Sequence, residues 1–304
     1  MAANFIPGAS IPGAMREDVG GGTFNALRAS VQRGVDGAIL SVRGGDGAGE
    51  MVARAMASAG IRDHSVTFLD RATPSYTALL DREGDVVAAL ADMGLYELTF
   101  ARQLRRSSVR EAAAAADAIL CDANLPADAL AQIPQLAGGK PVFAIAISPA
   151  KVVRLCGVLS GLSCLFLNRR EAAALTGLKQ DASACEMTAA LRSRGIKRAV
   201  LSAGAERVIA FEENEAFAIE PPAPRRIADV TGAGDALAGA TVSALMRGLP
   251  LSDAIREGIA AALLALETES ASPMLDAPHF KAALDLVPAA EPLNELERGK
   301  NHDA

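Results

Sequence analysis

The sequence predicts an α/β fold with parallel strands, and three observations support this. A helical segment after residue 100 is followed by apolar, strand-like segments at 118–124 and 141–148. Such alternation is typical of parallel strands joined by crossover helices. Half of the 304 residues are hydrophobic, so the chain can bury a large core in one domain. A glycine-rich turn at residues 229–235 (DVTGAGD) leads into a further helical segment.

The first hundred residues predict a smaller set of elements. Residues 5–19 contain two prolines and two glycines, and are expected to be irregular or to form an edge strand. The elements predicted after them are a strand at 38–42, a helix at 49–59 and strands at 66–69, 75–80 and 86–90. The last two strands flank the turn 81–85 and predict a β-hairpin. We expect this hairpin to act as a lid that keeps water from a substrate, to form a dimer contact, or both.

The second half of the chain continues the alternation and ends in a polar segment. The predicted elements are strands at 162–167 and 199–202, a hairpin at 208–211 and 216–219, and helices at 236–247 and 251–266. Residues 289–304 are polar and are predicted to be a disordered tail.

Composition argues against several functional classes. The net charge is −6 and no stripe of Lys or Arg stands out, which argues against binding to nucleic acid. The four cysteines lack metal-binding spacing, so they are expected to be buried free thiols in a reducing compartment. With three histidines, a histidine-based metal site or triad is not favoured. The start resembles no secretory signal and no apolar run is long enough to cross a bilayer, so the prediction is a cytoplasmic protein without a membrane partner.

The turn at residues 229–235 carries the clearest chemistry. Gly232 and Gly234 permit close approach of a ligand, and the first N–H groups of the following helix favour an anion, most simply a phosphate. Asp235 beside a bound phosphate can accept the proton of an attacking hydroxyl, which predicts phosphoryl transfer to an alcohol. The structural alternative is a loop-to-helix junction in which Asp235 only satisfies backbone donors.

This turn resembles the D-T-x-G-A-G-D signature of the ribokinase/PfkB family of sugar and nucleoside kinases, with Val230 in place of the usual Thr. The resemblance implies a ribokinase-like three-layer α/β/α sheet with a small β lid. Residues 1–288 would form one kinase domain, with lid strands at about 5–19 and 66–92. Asp235 would be the catalytic base, and backbone N–H groups of Gly232, Ala233 and Gly234 would form the anion hole.

Three further segments resemble family motifs. Residues 20–25 (GGGTFN) resemble G-G-x-x-x-N, which implies that Gly21, Gly22 and Asn25 bind the substrate; the alternative is a loop with an Asn cap. Residues 168–171 (NRRE) resemble N-x-x-E, whose Glu acts on Mg²⁺ through water; the alternative is an ordinary helix cap. Residues 202–204 resemble the loop near the ATP phosphates. The resemblance thus implies ATP and Mg²⁺ as cofactors, leaves K⁺ open, and assigns their binding to Asn168, Glu171, Ser202, Gly204 and Thr231.

The sequence of the predicted hairpin resembles one group of enzymes within this family. Residues 75–97 look like the lid of the family's pseudouridine kinases, including Ala91-Asp92-Met93 after the second strand. This implies phosphorylation of a nucleoside 5′-hydroxyl, with a small-molecule acceptor, ATP and a possible homodimer through the lid. Two alternatives stay open: a kinase for ribose, another sugar or another nucleoside, and a nucleotide-binding remnant without turnover.

One family feature is expected to be missing. Members begin with a strand and a G-x-x-x-D segment whose Asp binds sugar hydroxyls, and this sequence starts downstream of that strand. Loss of a central strand would leave neighbouring backbone groups unpaired, at about 1–3 kcal/mol for each buried group. We therefore expect the start to be truncated, which affects the substrate end and not the ATP end.

Overall fold

The structure is a computed structural model that describes residues 13–81, 86–268 and 273–293. The helices are α1 Gly22–Gln32, α2 Gly47–Ser58, α3 Gly94–Gln103, α4 Ser107–Ala115, α5 Ala127–Leu130, α6 Ile133–Ala137, α7 Pro149–Val152, α8 Arg169–Thr176, α9 Ala184–Ser193, α10 Ala233–Met246, α11 Leu251–Leu266 and α12 Ala277–Leu286. The strands are β1 Ala38–Ile39, β2 Val42–Gly44, β3 Arg62–Asp63, β4 Val66–Phe68, β5 Ser75–Leu80, β6 Val86–Asp92, β7 Ile119–Asp122, β8 Val142–Ile145, β9 Cys164–Asn168, β10 Arg198–Ala203, β11 Glu206–Glu212, β12 Glu215–Ile219 and β13 Glu291–Pro292.

Within the described residues, the main sheet has seven strands in the order β13-β12-β11-β10-β9-β8-β7. Strands β7 to β10 run parallel and are joined by helical crossovers, whereas β10 to β13 pair antiparallel. This confirms the parallel strands predicted from the sequence. Because these four strands are parallel, their carboxyl ends lie at one edge of the sheet, where ligands of such folds usually bind.

Helices cover both faces of the sheet. Along β9, Leu165 and Leu167 belong to one buried cluster, while Cys164 and Phe166 belong to another. Alternate residues of a strand point to opposite faces, so each face of this sheet has its own hydrophobic core. The arrangement is the three-layer α/β/α architecture that the family resemblance implied.

Helix α10 is held very close to α1 and α11. A Cβ atom on Gly239 of α10 would lie 2.0 Å from the carbonyl oxygen of Ala26 in α1, and one on Gly258 of α11 would lie 2.1 Å from Thr241 Oγ1. The Ser30 hydroxyl of α1 also donates to the Gly239 carbonyl at 2.8 Å. The absence of a side chain at Gly239 therefore permits the close approach of α1 and α10, which carry Asn25 and Asp235, and its absence at Gly258 permits the close approach of α11 to α10.

The first third of the chain forms separate small sheets. Strands β1 and β3 pair parallel, as do β2 and β4, and the predicted strand at 38–42 is divided between β1 and β2. Strands β5 and β6 form the predicted hairpin, with Tyr76 opposite Ala91, while most of its turn, residues 82–85, lies outside the described residues. Of segment 5–19, residues 13–19 form no strand, and residues 5–12 also lie outside the described residues.

Three expectations were wrong in part. The helical segment after residue 100 is divided into α3 and α4, because Arg106 is extended, with φ −66° and ψ 141°. The predicted disordered tail at 289–304 includes residues that are ordered: β13 pairs with Phe217 and Ala218 of β12, and Leu293, which is only 4% exposed, packs in the core. Cys156 is exposed, whereas Cys121 and Cys164 are the buried free thiols expected. Residues 294–304 lie outside the described residues.

No helix in the described ranges has both the length and the apolar character needed to span a bilayer.

Candidate active site

The glycine-rich turn ends at the N-terminus of α10, as predicted. Gly232 is the N-cap and has φ 82° and ψ −6°, a left-handed conformation that glycine adopts without strain. The Ala236 amide donates to the Gly232 carbonyl at 2.8 Å, and no described side chain caps the helix. The amides of Ala233 and Gly234 in the first turn therefore remain available, together with the positive end of the helix dipole, for an anionic group.

Asp235, in the first turn of α10, contacts the other glycine-rich segment. Asn25 Nδ2 donates to Asp235 Oδ2 at 2.9 Å across 210 positions of sequence. Burial raises the pKa of Asp235 to about 7; the hydrogen bond from Asn25 opposes the shift, and the negative charges of Asp122 and Glu171 add to it. A carboxylate with a pKa near neutrality, at a helix N-terminus, is suited to accept a proton from a hydroxyl.

Asn25 is not the helix cap that the structural alternative required. Gly21 is the N-cap of α1, with φ 123°, and Asn25 lies within the helix. Its side chain is 6% exposed, and Asn25 Oδ1 has no hydrogen-bond partner among the described residues. A buried acceptor that lacks a partner fits contact with a ligand hydroxyl, because an unsatisfied polar atom is otherwise costly.

Asp122 is a residue of the site that sequence reasoning missed. It ends β7, and its Oδ2 accepts hydrogen bonds from the Thr23 amide at 2.9 Å and the Thr23 hydroxyl at 2.8 Å. Asp122 Oδ1 accepts from the Asn124 amide at 2.8 Å. The carboxylate therefore anchors the glycine-rich loop to the edge of the sheet. Its position at the end of a predicted strand was the available signal.

Three of the residues assigned to ATP, Asn168, Ser202 and Gly204, lie at the ends of β9 and β10, and Thr231 lies in the turn before α10. Asn168 and Ser202 are neighbours in the parallel register, and Gly204, with φ 64°, makes the turn into β11. Thr231 is exposed, and its amide donates to Asp229 Oδ1 at 2.7 Å. The structure thus brings Asn168 and Ser202 together on β9 and β10, the second and third strands from β7, whose end anchors residues 20–25.

Glu171 forms the helix cap that was its structural alternative. Its carboxylate accepts from the Asn168 amide at 2.7 Å and from Asn168 Nδ2 at 2.9 Å, and Asn168 Oδ1 accepts from the Glu171 amide at 3.0 Å. Burial raises the pKa of this carboxyl group. Each carboxylate oxygen accepts one hydrogen bond from Asn168 and keeps a lone pair for another partner, so Glu171 can also contact a metal through water. No group of three or more metal-ligating side chains occurs among the described residues.

A second polar cluster, also missed from the sequence, lies at the same edge of the sheet. Lys151 Nζ of α7 donates to Asn124 Oδ1 at 2.6 Å. The pKa of Lys151 is lowered by burial and by the positive charge of Arg154, and the negative charges of Asp122 and Glu97 oppose this shift. Arg154 also pairs with Glu97 at 2.8 Å. The proximity to Asp122 places a cationic donor beside the glycine-rich loop.

Known proteins resemble the chain over most of its length. The family model described as pfkB family carbohydrate kinase matches residues 7–278. Pseudouridine kinase of Escherichia coli (strain K12) is 28% identical over 86% of this chain and 83% of its own. Ribokinase of Haemophilus influenzae is 26% identical over 83% of this chain and 82% of its own.

Solved structures give the same result for the fold. A carbohydrate kinase from Agrobacterium tumefaciens has a TM-score of 0.82 and 44% identity, covering 96% of this chain and 94% of its own. The ribokinase of Arabidopsis thaliana, solved with ribose and ATP, has a TM-score of 0.77 and 19% identity, with 87% of each chain covered. The second likeness bears on the fold alone.

Proposed function

The chain belongs to the PfkB family of carbohydrate kinases, and from that premise we propose that it phosphorylates the 5′-hydroxyl of a nucleoside, with pseudouridine as the preferred substrate. Membership of this family identifies the chain as a kinase that transfers a phosphoryl group to an alcohol group of a small sugar or nucleoside. The observation that carries the proposal is the Asn25–Asp235 hydrogen bond, which joins the proposed substrate loop to the proposed base.

In the proposed reaction, Asp235 accepts the proton of the attacking hydroxyl. The hydroxyl oxygen forms a bond to the γ-phosphorus of ATP as the bond from that phosphorus to the β-phosphate oxygen breaks, which leaves ADP and the nucleoside 5′-phosphate. Backbone N–H groups at Gly232, Ala233 and Gly234 stabilise the charge on the transferred group. The uncapped N-terminus of α10 supports this role.

Asn25, Gly21 and Gly22 are proposed to hold the acceptor. Asn25 Oδ1 is free to accept a hydrogen bond from a ligand hydroxyl, while Asn25 Nδ2 keeps Asp235 oriented. Asp122 holds the loop through Thr23. These contacts favour a substrate with several hydroxyl groups, as both ribose and a nucleoside have.

ATP and Mg²⁺ are proposed as cofactors, with Asn168, Ser202, Gly204 and Thr231 near the nucleotide. When bound, Mg²⁺ would neutralise negative charge on the phosphates. Glu171 would act on it through water, with its carboxylate oriented by the two hydrogen bonds that it accepts from Asn168. K⁺ dependence is left as an open part of the proposal.

The β5–β6 hairpin is proposed as the lid and as a homodimer contact. Its Leu90 is 72% exposed and lies opposite Thr77, while Tyr76 is 61% exposed and lies opposite Ala91. Successive residues of a strand point to opposite faces, so both faces of the hairpin expose apolar groups. One face can cover a substrate while the other packs on a second copy.

The remaining features of the proposal are a single domain over residues 1–288, which includes the lid strands, and a cytoplasmic location. Buried free thiols support the second, because burial raises the pKa of Cys121 and Cys164 to about 12 and keeps both in the thiol form.

The alternative acceptor is ribose, another sugar or another nucleoside, and the ribokinase relative favours it. We would measure ADP release with Mg-ATP and pseudouridine, uridine, cytidine, adenosine or ribose. The proposal predicts the highest kcat/KM for pseudouridine. A higher kcat/KM for ribose would replace the substrate assignment, and ATP binding without turnover of any acceptor would favour the non-catalytic alternative.

A further inference from the structure

Ile147, which follows β8 by two residues, has a strained backbone. Its φ is 69°, and the Ser148 amide donates to the Ala146 carbonyl at 2.8 Å, which closes a three-residue γ-turn around it. A γ-turn with positive φ at its centre is rare, and a β-branched residue is among the least suited to it. Glycine or asparagine would adopt this conformation more easily, so the surrounding packing has to hold the isoleucine in it.

The side chain of Ile147 lies over Gly22, the first residue of α1. A Cβ atom placed on Gly22 would be 2.2 Å from Ile147 Cδ1, 3.4 Å from Asp235 Oδ1 and 3.5 Å from Asp122 Oδ2. One methyl group and two carboxylate oxygens therefore surround the same point. A side chain at Gly22 would therefore force the end of the Ile147 side chain to move.

The position of this methyl group has two physical consequences. Since Ile147 Cδ1 and Asp235 Oδ1 both lie near the position that a Gly22 Cβ would take, the methyl group adds apolar surface near the carboxyl group, and burial is the largest cause of the raised pKa of Asp235. The polar groups that act on Asp235 from neighbouring elements are Asn25 of α1, Asp122 of β7 and Glu171 of α8. The methyl group also packs against the loop at Gly22, directly before Thr23, which Asp122 anchors.

We propose that Ile147 is a positioning residue of the phosphoryl-transfer site: its side chain, held by the strained γ-turn, excludes water from Asp235 and fixes Gly22 beside the Asn25–Asp235 pair. Backbone strain at such a site is compatible with a role in function, since the surrounding packing has to maintain it. The inference rests on the proposed function, because it assigns Ile147 to the same catalytic centre.

Two substitutions and one control test this role. Ile147→Val removes Cδ1, the atom that contacts Gly22, and keeps the β-branch. Ile147→Gly removes the side chain and also relieves the positive φ. Ile209→Val is the control, because it removes the same methyl group from a buried residue of β11.

For the proposed function, we expect Ile147→Gly to lower kcat by about tenfold or more, with little change in the KM for ATP. The acid limb of kcat/KM should move to lower pH by roughly one unit, because a hydrated Asp235 ionises more readily. Ile147→Val should show the same shift to a smaller degree, and Ile209→Val should show none. A pH profile that is unchanged in both Ile147 variants would overturn the inference.

A second readout does not depend on turnover. Asp235→Asn is introduced into wild-type and Ile147→Val backgrounds, and the urea midpoint of each pair is compared at pH 5 and pH 8. If Ile147 excludes water from Asp235, the pH-dependent difference within the pair becomes smaller in the Ile147→Val background. An equal difference in both backgrounds would overturn the inference even if no acceptor were phosphorylated, so its failure is distinguishable from failure of the proposed function.

Discussion

Replacing Asp235 by Asn should stabilise the protein at alkaline pH while it removes the proposed base. Asparagine has nearly the same shape as a protonated aspartate, and its side-chain oxygen can still accept the hydrogen bond from Asn25. The wild-type protein must ionise this half-buried carboxyl group above its pKa of about 7, compared with an ordinary value of 3.8. The variant avoids this cost.

The magnitude follows from the pKa difference. Each unit corresponds to about 1.4 kcal/mol, so the upper limit at pH 8 is about 4 kcal/mol, and the difference declines to about 2 kcal/mol at pH 5. Because the pKa of Asp235 is raised in the folded state, the folded state loses stability as pH rises from 3.8 to about 7. Below pH 3.8 this group causes no loss of stability. Asp235 is partly exposed, so solvent screening reduces these figures, and we expect about 2–4 kcal/mol at pH 8.

Urea unfolding at pH 5 and pH 8, without ligands, measures this difference. The chain has no Trp, so circular dichroism is the appropriate signal. Asp285→Asn, which removes a carboxylate from an exposed position of α12, is the matched control. An Asp235→Asn variant that is no more stable than wild type at pH 8, or whose gain is equal at both pH values, would refute the reasoning.

Three further predictions concern the surroundings of Asp235. Asp122→Asn removes a negative charge that raises the pKa of Asp235, so the acid limb of kcat/KM should move to lower pH; a pH–rate profile checks this, and a shift to higher pH would contradict it. Gly239→Ala forces a Cβ against the Ala26 carbonyl and should cost about 1–3 kcal/mol in urea unfolding, whereas Gly157→Ala, where nothing lies within 4 Å, should be near neutral. Lys151→Met should raise the KM for a nucleoside and leave the KM for ATP unchanged, since Lys151 contacts Asn124 near Asp122. Steady-state kinetics with both substrates varied checks this, and a raised KM for ATP with an unchanged KM for the nucleoside would contradict it.

The local parts of the site could be predicted from sequence because their causes are local. Gly232 occupies a left-handed position before good helix formers, so the loop-to-helix turn and its free N–H groups follow from residue type. Val230, the departure from the family pattern, is 70% exposed, which is consistent with a change that leaves the turn intact.

The contacts between distant segments could not be predicted in the same way. The Asn25–Asp235 bond depends on the close approach of α1 and α10 at Gly239, which no local pattern indicates. The positive φ of Ile147 contradicts its residue type, so the sequence offers no signal for it. β13 was placed in a disordered tail because its neighbours are polar, yet Leu293 packs in the core. The missing first strand stays a prediction.

The most direct test of the central claim, that Asp235 is the base of a nucleoside kinase, is turnover of Asp235→Asn with saturating pseudouridine and Mg-ATP. The account predicts that kcat falls by about 10²–10⁴-fold, while the affinity for ATP, measured by calorimetry, changes little. An Asp235→Asn variant with a kcat close to that of the wild-type enzyme would contradict the account.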